Sequence, residues 1–254
     1  MDKVLTSHEL VKTFGVGSER RAVLDGVSVD IRAGEFVAIM GPSGSGKSTL
    51  LFALSGMDAV DSGRVVFDGQ ELSQLDDRAL ADVRRTKMGF VFQQPTLLRN
   101  LNVLDNIILP AMRDGRKTAS QITERARALM KMTGIEELEE RGVSQASGGQ
   151  LQRVGICRAL MAEPKIVFGD EPTGALNSAA SNEIMGLLGD VHRAGTTVVL
   201  VTHDPRVATR AERVLFLFDG EIAGEHVAER YDEASDDLDA RQEALTGWLT
   251  DMRF

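Results

Sequence analysis

Glu35-Phe36-Val37-Ala38-Ile39-Met40-Gly41-Pro42-Ser43-Gly44-Ser45-Gly46-Lys47-Ser48 is the stretch that decides the fold. Its first six residues form a short, nearly all-apolar run, as expected of a parallel strand buried on both faces. The pattern G-x-x-x-x-G-K-S follows, and residues 47–55 read as a helix. Strand, glycine loop and helix in that order are the context of a phosphate-binding loop. Gly41, Gly44 and Gly46 let the backbone curl so that successive N–H groups face phosphate oxygens. The helix beginning near Lys47 adds its positive dipole end. Lys47 would reach the β- and γ-phosphates of a nucleotide, and the Ser48 hydroxyl would ligate Mg²⁺.

Outward from this loop, strands are expected at residues 8–14 and 22–31, the latter with alternating Val27, Val29 and Ile31. Further strands are expected at 64–67 and 88–92. Residues 100–162 are mostly helical in pattern: 118–132 places Ile122, Ala126, Leu129 and Met130 on one face, and 148–161 is a second helix. Strands return at 165–168, 196–201 and 213–218, with a helix at 178–193 ending at Ala194-Gly195. Alternating strands and helices imply a mainly parallel sheet, with the helical block inserted between its two halves.

The bulk properties narrow the function. With 254 residues, 43% hydrophobic and 26% charged, the chain suits one large domain or a domain with a subdomain. Its longest apolar runs, such as 214–218, fall far short of the roughly 20 residues of a membrane-spanning helix, and the N-terminus lacks a signal-peptide core. The single Cys157 cannot form an internal disulfide, fits a reducing cytoplasm and sits on a helix face as a buried, inert thiol. A net charge of −9 argues against non-specific nucleic-acid binding. The small basic clusters Arg20-Arg21 and Arg84-Arg85-Thr86-Lys87 read as solvated faces.

Two more motifs carry chemistry. In Lys165-Ile166-Val167-Phe168-Gly169-Asp170-Glu171 an apolar strand ends in two acids, placing them at the carboxyl edge of the sheet beside the phosphate loop. Asp170 would hold Mg²⁺, directly or through water, and Glu171 would orient and polarise an attacking water, because phosphoryl transfer asks mainly for positioning and charge stabilisation. In Ala146-Ser147-Gly148-Gly149-Gln150, Ser147 is a helix N-cap and the glycines leave backbone N–H groups bare. This is a second anion site. Since the phosphate loop already cradles the nucleotide, it would serve the γ-phosphate bound to another copy of the chain.

Ser147-Gly148-Gly149-Gln150, continued by Leu151-Gln152-Arg153, resembles the signature sequence of ABC-transporter ATPases, and the likeness runs from about residue 5 to about 224. The resemblance implies an α/β, P-loop NTPase core with a mainly parallel sheet, an antiparallel N-terminal β subdomain and an inserted α-helical subdomain. It implies that Phe14 stacks on adenine, that residues 41–49, Gly41 to Thr49, hold the phosphates, and that Gln93 contacts Mg²⁺ or water and senses the γ-phosphate. It assigns His203 as the switch histidine on the γ-phosphate. The metal set is then Ser48, Gln93 and Asp170, and the catalytic set Lys47, Glu171 and His203. Ser147, Gly148, Gly149 and Gln150 would act in trans, on the nucleotide of a second copy.

Gly169-Asp170-Glu171-Pro172-Thr173-Gly174-Ala175-Leu176-Asn177-Ser178 is similar to one branch of that family, the macrolide and antimicrobial-peptide exporters, lipoprotein-release ATPases and the cell-division ATPase. Such a relationship implies an ATP-hydrolysing subunit that drives an integral membrane permease from the cytoplasmic face of the plasma membrane, without nucleic acid. The alternative is a cell-division-type ATPase that regulates an envelope hydrolase through its permease without transport. Three positions depart from the family pattern: Ala146 replaces the usual leucine, Asn177 the usual aspartate, and Phe14 the commoner tyrosine. The expected organisation is an ATPase domain over 1–224, with a nucleotide-binding core at 1–93 and 164–224 and a helical subdomain at about 94–163. An amphipathic helical extension follows at 225–254, with Tyr231, Leu238, Leu245 and Met252 recurring every seven positions beside Trp248 and Leu249. It would pack on its own domain or meet a twin subunit or permease.

Overall fold

The computed structural model describes residues 2–15, 20–113, 115, 117–231 and 237–252. In chain order the first elements are β1 (Lys3–Phe14), β2 (Arg21–Val27), β3 (Asp30–Arg32), β4 (Phe36–Met40), α1 (Lys47–Leu54), β5 (Ser62–Phe67), β6 (Gln70–Glu71) and α2 (Asp77–Lys87). They continue as β7 (Met88–Phe92), α3 (Val103–Met112), α4 (Ala119–Thr133), α5 (Gly148–Leu160), β8 (Ile166–Asp170) and α6 (Ser178–Arg193). The last are β9 (Thr197–Val201), α7 (Pro205–Ala208), β10 (Arg213–Phe218), β11 (Glu221–Val227) and α8 (Leu238–Asp251). They form two compact units, Met1–Leu80 with Thr197–Phe254, and Ala81–Thr196.

The first unit holds two sheets. One is antiparallel throughout, in the order β2-β1-β5-β6 with β3 also on β1. In the other, β10, β4 and β9 run parallel and β11 closes the edge antiparallel to β10. Every residue of β4 is buried, as its unbroken apolar run demands. The strand expected over 22–31 is two strands. The twelve-residue β1 carries Glu9 in the left-handed region at φ 47°, the Glu9 N–H donates to Ser28 Oγ at 2.9 Å, and Val29 N–H donates to Ser7 Oγ at 2.8 Å. Side chains thus replace ladder partners at the bend, and β2 and β3 pair on either side of it.

In this unit α8 packs on β10, β11 and α7. Leu245 and Leu249 are buried, Trp248 meets Phe216 edge-on at 6.2 Å, and the Met252 Cε lies 2.8 Å from where a Cβ on Gly224 would stand. The extension therefore rests on its own unit. Residues 232–236 and 253–254 of that extension lie outside the described residues, and Tyr231 precedes the helix rather than joining its stripe.

The second unit pairs β7 with β8 in parallel, Phe92 opposite Asp170. Against them stand α3, α4 and α5, whose buried faces include Ile107, Ile122, Ala126, Met130, Val154 and Cys157. Thr118 caps α4 with a capping box to Gln121, and Asn102 caps α3 by accepting from Asp105 N–H at 2.7 Å. Cys157 is buried 3.1 Å from Thr133 Oγ1; burial pushes its thiol up to about 12, so it stays protonated and inert.

Candidate functional site

The glycine loop leaves β4 and closes on α1. Gly41, at φ 150°, leaves no space for a side chain: a Cβ there would stand 2.0 Å from the Leu217 carbonyl oxygen. Gly46 caps α1 at φ 100°, where a Cβ would meet the Val23 carbonyl oxygen at 2.5 Å. Both positions require glycine on conformational and steric grounds. Gly46 supplies no side-chain cap, so the start of α1 is the uncapped kind of end that an anion satisfies. Lys47 is buried and donates to the carbonyl oxygens of Gly41 at 2.9 Å and Pro42 at 2.8 Å, which folds its chain over the loop. The Ser45 Oγ is buried without a hydrogen-bond partner; such a group ordinarily finds one. Ser43 and Gly44 are exposed, and Pro42, Ser48 and Thr49 half-buried.

His203 belongs to the same unit. Ile39 of β4 and Val201 of β9 are register partners, and Thr202 N–H donates to the Ile39 carbonyl oxygen at 3.1 Å. Gly41 and His203 each follow two residues beyond that pair, so both emerge at the carboxyl edge of adjacent parallel strands, where ligands of open α/β sheets bind. His203 is exposed, and the next residue, Asp204, caps α7. Burial alone would raise the Asp204 carboxyl, but hydrogen bonds from the Arg206 side chain and backbone, with the charges of Arg206 and His203, hold it below its ordinary value. Phe14 ends β1 with its ring half exposed. Lys12 Nζ stands 5.2 Å over the ring centroid, so a cation covers one face of the ring expected to stack on adenine.

The other expected residues lie in the second unit. Gln93 and Glu171 directly follow the register pair Phe92 and Asp170, so they leave neighbouring strands side by side. Glu171 takes a left-handed conformation at φ 50°, and Gly174 N–H donates to its carbonyl oxygen at 3.0 Å, closing a tight turn. Such a conformation in a non-glycine residue costs on the order of 1–2 kcal/mol and concentrates at functional sites. Ser147 caps α5 as expected: its Oγ accepts from Gln150 N–H at 3.3 Å, while its own N–H donates to Gln150 Oε1 at 2.9 Å. Gln150 thus has a structural duty beside the one expected of it.

Asn177 does for α6 what Ser147 does for α5, accepting from Ala180 N–H at 2.9 Å. The two helix starts share one concavity of about 410 Å³, lined among others by Ser147, Gly148, Gly149, Gln150, Asn177 and Arg153. The Asn177 departure therefore keeps a cap, which asparagine and aspartate provide equally well.

Three contributors are absent from the expected set. Gln152, on α5, is buried and donates its amide to the Phe92 carbonyl oxygen at 2.9 Å. Arg158, two turns on, donates to the Thr96 carbonyl oxygen at 2.8 Å. Gly174 abuts the Gln93 side chain. Together they grip the segment that carries Gln93. The signal for Gln152 was legible: it lies four residues before Ile156, on the apolar face of α5, where a polar residue needs a partner.

Comparison with known proteins agrees with this fold. The family model described as ABC transporter matches residues 24–174. The macrolide export ATP-binding/permease protein MacB of Hahella chejuensis is 44% identical over 248 residues, 94% of this chain. The protein of the same name from Escherichia coli O6:K15:H31 is 41% identical over 98% of it. The chain spans only 38% of the length of each. Among solved structures, the dimeric post-hydrolysis state of the ATP-binding cassette MJ0796, bound to ADP and Pi, is similar with a TM-score of 0.83 and 40% identity, over 89% of this chain and 100% of that one. By its fold, its glycine loop and these likenesses together, the chain belongs to the ABC transporter family, as an ATP-binding domain.

Proposed function

We propose that the chain binds Mg-ATP, hydrolyses it, and uses the cycle to drive an integral membrane permease in export, peptide or antibiotic resistance, or lipoprotein release. The observation that carries this reading is the loop at the start of α1, a cradle in which Gly41 and Gly46 admit no side chain and the helix end has no side-chain cap. Residues 41–49 hold the phosphates, with Lys47 against the β- and γ-oxygens. Phe14 stacks on the base with its uncovered face. Glu171 orients the attacking water, while Gln93 and His203 respond to the γ-phosphate. The oxygen donors expected for Mg²⁺, the Ser48 hydroxyl, the Gln93 amide and the Asp170 carboxylate, suit a small hard cation. Mg²⁺ held there supplies neutralisation of phosphate charge.

Two copies would close around two nucleotides with two-fold symmetry. The capping box satisfies Gln150 N–H, and the first-turn N–H groups of Gly148 and Gly149 would meet the γ-phosphate held by the other copy. The relatives' names join ATP-binding and permease in one protein, which supports a permease partner and a place at the cytoplasmic face of the membrane. Among the described residues no helix is long and apolar enough to cross a membrane. The segment 95–106 beside Gln93, with Leu98 exposed and Leu109 and Met112 exposed on α3, is the docking surface we assign to that partner.

Calorimetric titration with ATP and Mg²⁺ tests the nucleotide site. Lys47→Ala removes charge-assisted hydrogen bonds worth about 1.5–3 kcal/mol and should weaken ATP by roughly 10- to 100-fold. Unchanged affinity would refute the loop's assigned role.

A further inference from the structure

Gly174 stands in the turn that follows Glu171, and what is absent from it matters. A Cβ built on Gly174 would lie 2.8 Å from Gln93 Nε2, 3.4 Å from its Cδ and 3.5 Å from its Cγ. The first distance is far inside van der Waals contact, and the other two are close contacts along the same side chain. Gly174 N–H meanwhile donates to the Glu171 carbonyl oxygen at 3.0 Å, and Leu176 N–H to the Thr173 carbonyl oxygen at 3.0 Å, so the turn has little freedom to retreat. On the other side, Gln152 holds the Phe92 carbonyl oxygen at 2.9 Å and Arg158 holds that of Thr96. The backbone on both sides of the contact is thus anchored. Only the Gln93 side chain is left to move.

We propose that Gly174 is a positioning residue: the missing side chain at this turn is the space in which the Gln93 amide is held. The backbone of Gly174 lies outside the left-handed region, so alanine meets no conformational penalty there. The first clash is with the tip of a flexible side chain, which swings aside at small cost to folding. The same swing displaces the amide that this inference, resting on the function proposed above, places at Mg²⁺ or the attacking water. A methyl at position 174 is therefore nearly silent for the fold and loud for turnover.

The test is a double-mutant cycle of Gly174→Ala with Gln93→Ala, read by thermal unfolding, ATP turnover and the side-chain amide NMR signals of Gln93, assigned by their loss in Gln93→Ala. Gly174→Ala should unfold near the wild-type temperature, move the Gln93 amide signals and lower kcat roughly tenfold, within the ~100-fold that a 1 Å misplacement can cost. The KM for ATP should stay within about twofold, because the loop that binds phosphate is untouched. In the Gln93→Ala background the same substitution should cost nothing more. An equal loss in both backgrounds, or unmoved Gln93 signals, would overturn the proposal. If Gly174→Ala does not fold, folding of the double variant supports the contact and its failure refutes it. A wild-type chain that hydrolyses no ATP would sink the proposed function, while the Gln93 signals would still decide this inference.

Discussion

Gln152 donates its side-chain amide to the Phe92 carbonyl oxygen at 2.9 Å, one residue before Gln93. Gln152 sits three residues past Gly149 at the start of α5, so the helix expected to read a second copy's γ-phosphate is bonded to the strand end expected to sense its own. Gln152 itself is buried, and the bond is partly buried.

Removing it should cost stability. Gln152→Leu leaves the Phe92 carbonyl oxygen without its donor, a loss of about 1–3 kcal/mol. For a chain of this size that lowers the melting temperature by roughly 2–4 °C per kcal/mol. Calorimetric unfolding would show it, and an unchanged midpoint would mean the bond contributes nothing.

Beside its buried leucines, the extension is tied down by one polar side chain. Arg241 on α8 donates to the carbonyl oxygens of Thr209 at 3.1 Å, Ala211 at 2.9 Å and Glu229 at 2.8 Å, and stacks over Tyr231 with Arg210 near the same ring. Arg241→Ala should release α8 from the end of α7, making the 238–251 amides exchange with solvent far faster than the core strands. Protection equal to wild type would show that the apolar contacts of Leu245 and Leu249 suffice.

Asp204 predicts a pH dependence. Its folded value lies below the ordinary 3.8, so its stabilisation is complete above pH 3.8 and drains away as pH falls through the lowered folded value. Asp204→Asn should therefore destabilise the protein at neutral pH and flatten the acid limb of its stability curve. A limb of unchanged slope in chemical denaturation from pH 6 downward would contradict the assignment.

Much of this fold was legible where one face of an element decides its pattern. The all-apolar run of β4, the cap at Ser147 and the helix over 178–193 each follow from local chemistry. Helix α2 escaped because six of its eleven residues are charged and only Val83 is buried, so its short apolar side is easily passed over. Strand β11 escaped for the related reason that it lies on a sheet edge and none of its residues is fully buried. At the site, the residues assigned to the nucleotide sit in recognisable motifs. Those that position them, Gln152, Arg158 and Gly174, act through contacts between segments distant in sequence. Position 174 does so through an absence, which no pattern of residue types records.

In the proposed function Glu171 drives hydrolysis of a nucleotide shared between two copies of the chain. The most direct test measures phosphate release and molar mass together, for wild type and Glu171→Gln in ATP and Mg²⁺. Glutamine keeps the shape and loses the base, so turnover should fall at least about 100-fold, a typical contribution of a general base. ATP should stay bound, and the variant should persist as a dimer. A variant that turns over ATP at the wild-type rate, or stays monomeric with ATP bound, would contradict the account.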